Sequence, residues 1–320
     1  MRVGGQIAVP SVSLFLLAAC NGIDVGFDGP DDVVPETVWV EEDLANPAAP
    51  AVDILFVIDG TGSMAEEQAS LASASATFVS VLAELEVSWQ LGATSSDLSD
   101  EGVLAGDPWI ITPTAADPAG ALADALLVGT DHVPPSAGLD AATLALRDSG
   151  GQNRGFRRAT AALHVVFVSD DDDQSGEVLG ADPVGTFVTL LANQAAQNGL
   201  PARASAVVGG VPDGCEGATG SARAGTRYLE VVERTGGVDA SVCDVDFSVV
   251  AEEIAALSVD WPVLFPLQAA PVPGSVTVTV NGERRSEWEL ELDPPAIRFA
   301  EAPGPDADVH VRYALEEEAS

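Results

Sequence analysis

The chain has 320 residues, 47% of them hydrophobic, and carries 50 acids against 13 bases for a formal net charge of −37. Every base is Arg and there is no Lys. So acidic a surface repels phosphate backbones and argues against a nucleic-acid role; it reads as a solvated surface before it reads as a site for cationic partners. The length allows one large or two smaller domains.

Arg2 is followed by a mostly apolar stretch, Ile7 to Ala19, too short to span a bilayer as a stable helix. It ends Leu17-Ala18-Ala19-Cys20, which resembles the lipobox of bacterial lipoproteins. The resemblance implies that residues 1–19 are a signal peptide, that the protein is exported, and that lipid on Cys20 anchors it to the cell envelope, at the outer membrane or cell surface. A plain secretory signal with a chance Cys is the alternative. No later run is long and apolar enough to span a membrane, so attachment would be by lipid alone; one acyl chain binds marginally, several hold firmly. Residues 20–50 are rich in Asp, Glu, Pro and Gly and read as a disordered acidic tether. Asp24, Asp28, Asp31 and Asp32 lack EF-hand spacing. With Cys20 assigned to lipid, Cys215 and Cys243 are an even pair in an exported chain and read as a disulfide.

From residue 51 strands and helices alternate, the pattern of a parallel sheet with helices on both faces. Strands are expected near 52–58, 87–93, 109–112, 163–169, 203–208 and 238–242. Helices are expected near 64–86, 117–128, 137–148, 182–198, 223–235 and 247–257, with Asp182-Pro183 as a start signal and Gly236-Gly237 as a stop. This α/β, doubly wound domain would run to about 265. Beyond it, Ser275–Val280 alternates with period two, Asn281-Gly282 supplies a hairpin turn, and 288–292, 296–299 and 309–313 continue as short strands. Residues 266–320 thus form a small antiparallel β module, with Trp288, Phe299 and Tyr313 as its core in preference to a carbohydrate-binding surface.

The most informative segment is Val52-Asp53-Ile54-Leu55-Phe56-Val57-Ile58-Asp59-Gly60-Thr61-Gly62-Ser63. A buried strand ends in an acid, and open α/β sheets place ligands at the carboxyl ends of their strands. Asp59, Thr61 and Ser63 are three hard oxygen donors at alternate positions of one loop, suited to a small cation such as Mg²⁺. A second apolar run, Leu163–Ser169, ends in Asp170.

Together these segments resemble the von Willebrand factor type A domain, whose first metal loop reads Asp-x-Ser-x-Ser, with Thr61 standing for the first Ser. The resemblance implies a doubly wound fold and a divalent cation, Mg²⁺ with Mn²⁺ or Ca²⁺ as alternatives. Asp59, Thr61, Ser63 and Asp170 would be ligands. The second-loop ligand would be Thr130, with Ser136 as the other candidate, since the family's usual Thr-x-Thr spelling is absent. It further implies that a protein partner supplies a carboxylate to the ion, so the activity is binding, not turnover. Without a metal, the loop is an α/β turn with capping hydroxyls.

Three other features bear on the site. Asp171, Asp172 and Asp173 either attract a second ion or form a solvated loop. Asp97, Asp100 and Glu101 follow the second strand and either line the same rim or are plain loop. His164, in an apolar strand, reads as a satisfied core histidine. Two other function classes stand beside the adhesion-type reading. One is a structural envelope lipoprotein without a metal-dependent ligand. The other is a phosphoryl-transfer enzyme using Asp59, since Asp59-Gly60-Thr61-Gly62-Ser63 also looks like the acceptor loop of the haloacid dehalogenase superfamily. That chemistry usually needs a downstream Lys, and the chain has none. No phosphate-binding Gly loop with Lys is present, so no nucleotide is expected.

Overall fold

A computed structural model describes residues 37–44, 51–85, 87–133, 135–147, 151–198, 200–217, 220–244, 246–259, 263–303 and 307–315. The signal segment, Cys20 and most of the expected tether lie outside the described residues. The chain divides into two compact units, one holding 51–259 and the other 37–44 with 263–315.

The first strand, β1 (Val38–Leu44), corrects the sequence reading, which placed it in the tether. In the larger unit follow β2 (Ala51–Ile58), β3 (Ser88–Ser95), β4 (Ala162–Val168), β5 (Ala202–Val208), the two-residue strands β6 (Cys215–Glu216) and β7 (Ser221–Ala222), and β8 (Asp239–Ser241). Its helices are α1 (Ala65–Ser73), α2 (Ser75–Glu84), α3 (Pro118–Leu126), α4 (Gly138–Ala145), α5 (Pro183–Asn198), α6 (Thr226–Thr235) and α7 (Ser248–Ser258). β2, β3, β4, β5 and β8 form one sheet in the order β3-β2-β4-β5-β8, and every pairing in it is parallel.

β2 and β4 are apolar at nearly every position because both faces of the sheet are covered. Leu55, Val57, Leu163, Val165 and Phe167 pack with α4, α5 and α6. Phe56 and Val166 point the other way, toward Leu71 of α1, Phe78 of α2, Leu122 of α3 and Ile254 of α7. His164 is buried in β4, its Nδ1 2.7 Å from Ser258 Oγ and its Nε2 2.8 Å from Ser205 Oγ. Burial, with Arg203 adding to it, lowers its pKa to about 3, so it is a neutral, satisfied core histidine as expected.

Two expected elements differ. The helix expected over 64–86 is a 3₁₀ turn (Gly62–Met64) followed by α1 and α2, which break at Ala74. The break lies in a serine-rich stretch, and Ser73 Oγ donates to Ser70 O at 2.6 Å, the local competition that weakens helix interiors. The strand expected at 109–112 is absent; Ile111 makes a single antiparallel bridge to Leu91. Pro108 and Pro113 flank it and prevent a longer ladder.

In the smaller unit, β9 (Leu264–Pro266), β10 (Thr277–Val280), β11 (Glu283–Arg285), β12 (Trp288–Leu292), β13 (Pro295–Phe299) and β14 (Val309–Leu315) form two antiparallel sheets, β1-β14-β10-β11 and β12-β13-β9. Besides β1, the unit takes up the chain from residue 263, slightly before the expected join. Its core includes Phe265, Phe299 and Tyr313, with Trp288 partly buried against it. β1 turns Val40, Glu42 and Leu44 inward, and buried Glu42 accepts hydrogen bonds from Tyr313 Oη and from Gln268 N. A charged residue on the inward face broke the apolar alternation that would have marked this strand.

At the amino end of β2, Arg158 closes the sheet. Its backbone N and its Nε donate to the two oxygens of Asp53 at 2.6 and 2.7 Å, and its Nη1 and Nη2 reach Ser88 Oγ and Val52 O. Asp53 is 1% exposed. Burial raises its carboxyl from 3.8 to about 6, against the hydrogen bonds and charge of Arg158. The folded state thus holds a proton that the unfolded chain has released, and this contribution to stability grows as pH falls through 6 toward 4 and is lost as pH rises through 6. Arg158→Met should lower unfolding free energy near pH 7 by about 3–5 kcal/mol, because it strands a buried charge. Part of the loss should return near pH 5, where Asp53 takes a proton. Urea titrations at the two pH values measure both effects.

Candidate functional site

The two strand-end acids come together because β2 and β4 are parallel neighbours in register, with Ile58 opposite Val168. Asp59 N donates to Val168 O at 2.9 Å, which carries the ladder one residue past the strand. Asp59 is fully buried. Its Oδ1 accepts from Thr61 N at 2.9 Å and its Oδ2 from Ser169 Oγ at 2.6 Å. Thr61 Oγ1 and Ser63 Oγ lie 3.3 Å apart, and the Ser63 side chain hydrogen-bonds Asp170. Burial pushes the Asp170 carboxyl above its ordinary range, and the nearby charges of Asp59 and Asp171 add to the push against the Ser63 hydrogen bond.

Thr61, Ser63, Ser136 and Asp170 line one open hollow of about 1000 Å³, solvent-open space included. Asp59 lies behind this surface. The structure places Ser136, not Thr130, on the wall. Thr130 belongs to the part of the second loop that runs beside the first, where its carbonyl faces Gly62. Ser136 precedes α4 and is held from behind: its Oγ is 2.5 Å from Ser96 Oγ, its carbonyl accepts from Gln174 N, and Ala137 N donates to Ser96 O. Four of the five expected metal residues, Asp59, Thr61, Ser63 and Asp170, are therefore gathered, and the alternative fifth joins them.

The arrangement suits a divalent cation in its chemistry. Negative charge at close range opposes the ionisation of Asp170, hard hydroxyl oxygens lie beside it, and a positive ion would offset the repulsion. The base on the wall, Arg223, is largely exposed and pairs with Asp171, its Nη1 3.0 Å from Oδ2. Asp59 is poorly placed as a nucleophile, being wholly enclosed with both oxygens already accepting. Among the described residues no cluster of three or more His, Cys, Asp or Glu side chains is spaced to hold a metal, so any ion would depend on the hydroxyls.

The rest of the aspartate run has structural work. Asp172 Oδ1 accepts from Arg227 N, while Asp173 accepts from Leu139 N and Ser175 Oγ and lies 3.5 Å from Arg227 Nη1. This tethers α4 and α6 to the loop after β4 and accounts for the run without a second ion. Asp140 adds a cradle the sequence reading missed, accepting from the backbone N–H groups of Gly176, Glu177, Val178 and Leu179. Asp97 and Asp100 face His132, whose Nε2 is 2.9 Å from Asp97 Oδ2 and 3.6 Å from Asp100 Oδ2. The His132 ring in turn lies so close to Gly60 that a Cβ there would sit 2.6 Å from Nδ1. Ser96 and Ser169 also escaped the sequence reading, although small hydroxyl residues at the ends of both neighbouring strands were visible as Thr94-Ser95-Ser96 and Ser169-Asp170.

The expected Cys215–Cys243 disulfide is present. It anchors the β6–β7 hairpin, which forms the far wall of the hollow through Cys215, Ser221 and Arg223. Arg223 N donates to Asp170 O at 2.8 Å, so the hairpin is tied directly to the distal acid.

No protein-family model matches the chain, and no curated protein sequence matches it. Among solved structures, the chain is similar to a von Willebrand factor type A protein from Catenulispora acidiphila, at 13% identity over 89% of this chain and 66% of that one, with a TM-score of 0.41. It is similar to the pilus adhesin SpaC from Lactobacillus rhamnosus GG in its open conformation, at 12% identity over 87% of this chain and 40% of that one, with a TM-score of 0.42. A third is proximal thread matrix protein 1 from the mussel byssus, with a zinc-occupied MIDAS motif: 14% identity, 68% of this chain, 48% of that one, TM-score 0.40. The chain spans at most 66% of the length of these three proteins. The likenesses are distant, and what the hollow can do follows from its own atoms.

Removing the disulfide with Cys215→Ser and Cys243→Ser should lower unfolding free energy by about 3–4 kcal/mol in the chain-entropy model. Denaturant unfolding of the paired variant beside the wild type measures it.

Proposed function

We propose that the larger unit is a von Willebrand type A-like binding domain that holds a divalent cation, Mg²⁺ in preference to Mn²⁺ or Ca²⁺, in the hollow at the carboxyl end of its sheet. Asp170, Ser63, Thr61 and Ser136 would face the ion, and Asp59 would supply negative charge from behind. An open side of the hollow would leave the ion free to accept a carboxylate from a protein partner, making the activity metal-dependent adhesion, not turnover. The observation that supports this reading is that hydroxyl and carboxylate oxygens from three separate chain segments, Thr61 and Ser63, Ser136, and Asp170, line one solvent-open hollow, with Asp59 behind it. A passive spacer would have no need of that convergence. Burial of Asp59 speaks against the phosphoryl-transfer alternative, because a nucleophile must reach its substrate. We further propose that the protein is exported and attached to the cell envelope by lipid on Cys20, which rests on Leu17-Ala18-Ala19-Cys20. No helix among the described residues is long and apolar enough to cross a membrane.

Calorimetric titration of Mg²⁺, Mn²⁺ and Ca²⁺ into the full-length protein tests the site. Saturating ion should add roughly 2.7 kcal/mol of stability at a hundredfold excess over Kd. Asp170→Asn should abolish binding and Ser136→Ala weaken it, while Thr130→Val should leave it intact; absence of heat and of thermal stabilisation with all three ions would refute the site. For the anchor, Cys20→Ser should move the expressed protein from the detergent phase to the aqueous phase. Unchanged partitioning would refute lipidation.

A further inference from the structure

The two loops that carry Ser63 and Ser136 are separate stretches of chain, and oxygens on both can serve one ion only if their separation is fixed. One side chain spans them at the root. Gln68, on α1, is 2% exposed, and its Nε2 donates to Asp59 O at 2.8 Å and to Gly129 O at 2.8 Å. A carboxamide nitrogen carries two hydrogens, and both are used, one on each loop. Beyond this clamp the loops continue side by side: His132 N donates to Gly60 O at 3.0 Å, and Thr61 and His132 form a parallel bridge. The far end of the second loop is held independently, at Ser136, by Ser96 and Gln174. Gln68 thus ties the root of the first loop, at Asp59, to Gly129, where the second loop begins.

We propose that Gln68 is a positioning residue that sets the ion selectivity of the hollow, keeping the oxygen cage small and stiff enough to favour Mg²⁺ over Ca²⁺. This rests on the reading that the hollow binds a divalent cation. Mg²⁺ demands near-ideal octahedral geometry at about 2.0–2.1 Å, whereas Ca²⁺ accepts six to eight oxygens at about 2.3–2.6 Å in flexible arrangements. Release of the Asp59 carbonyl would loosen the first loop, which carries Thr61 and Ser63, and would therefore harm Mg²⁺ binding far more than Ca²⁺ binding. Loss of fold stability alone would weaken both ions alike, so the ratio of affinities separates positioning from scaffolding.

The test is titration of Mg²⁺ and of Ca²⁺ into full-length wild type, Gln68→Met, Gln68→Asn and Leu82→Ala, with the melting temperature of each ion-free protein recorded. Gln68→Met keeps the side-chain volume but loses both donors; Gln68→Asn keeps the amide but is one methylene too short to reach both carbonyls, and serves where the Met variant folds poorly. Leu82→Ala trims the buried core of α2 away from the loops. Both Gln68 variants should lose about 10-fold or more in Mg²⁺ affinity while Ca²⁺ affinity changes by less than about 3-fold, and Leu82→Ala should leave the ratio unchanged. Unchanged affinities in the Gln68 variants, or equal losses for both ions, would overturn the inference while leaving the cation site standing. A wild type that binds neither ion would overturn the site and the inference together.

Discussion

The structure turns on the register of two parallel strands. β2 and β4 pair so that Ile58 lies opposite Val168, and one further backbone hydrogen bond, Asp59 N to Val168 O, carries the match past the strand ends. Asp59, Ser169 and Asp170 meet only because of that register. A shift of one residue would exchange side chains between the two covered faces of the sheet, and the close packing on each face opposes it. The packing that makes the core is therefore also what sets the spacing of the oxygens at its edge. Ser169 illustrates the coupling: its hydroxyl donates to Asp59 Oδ2 at 2.6 Å and accepts from Asp171 N, so one side chain fixes the orientation of the buried acid and the path of the loop.

Around that junction the protein holds its acids in two ways. Asp140, Asp172 and Asp173 are satisfied by backbone N–H groups, hydroxyls and Arg227, and they organise the loops between β4 and α6. Burial opposes the ionisation of Asp170, Asp172 and Asp173 alike, but Arg227 offsets it at Asp172 and Asp173, whereas at Asp170 the charges of Asp59 and Asp171 add to it against the Ser63 hydrogen bond. That contrast within one stretch of four adjacent aspartates supports the proposal of a cation beside Asp170. In a chain with 50 acids and 13 bases, most carboxylates can be left to water; the ones taken out of water need partners.

The parallel sheet was legible because β2 and β4 are unbroken apolar runs ended by turn signals, and the first loop because its donors sit at alternate positions. What escaped depended on contacts that no local pattern encodes. β1 was hidden because Glu41, Glu42 and Asp43 make its sequence look like acidic linker, and the inward Glu42 is tolerated only through Tyr313 and the Gln268 backbone, over 220 residues away. Ile111 looked like strand until its flanking prolines are set against the short bridge they allow. That Ser136 and not Thr130 lines the hollow could not be read from spacing, since it depends on Ser96 reaching Ser136 from the end of another strand. Gln68 offered no signal at all: a glutamine in the second turn of a helix is ordinary until its amide is seen between two loops.

The central claim is that oxygens of Ser63, Ser136 and Asp170 converge on one point able to hold a metal ion. Crystals grown or soaked with Mn²⁺ and measured for anomalous scattering locate such an ion directly. The account predicts one strong peak within bonding distance of those three side chains; a peak at another place, or an empty hollow at saturating Mn²⁺, would contradict it.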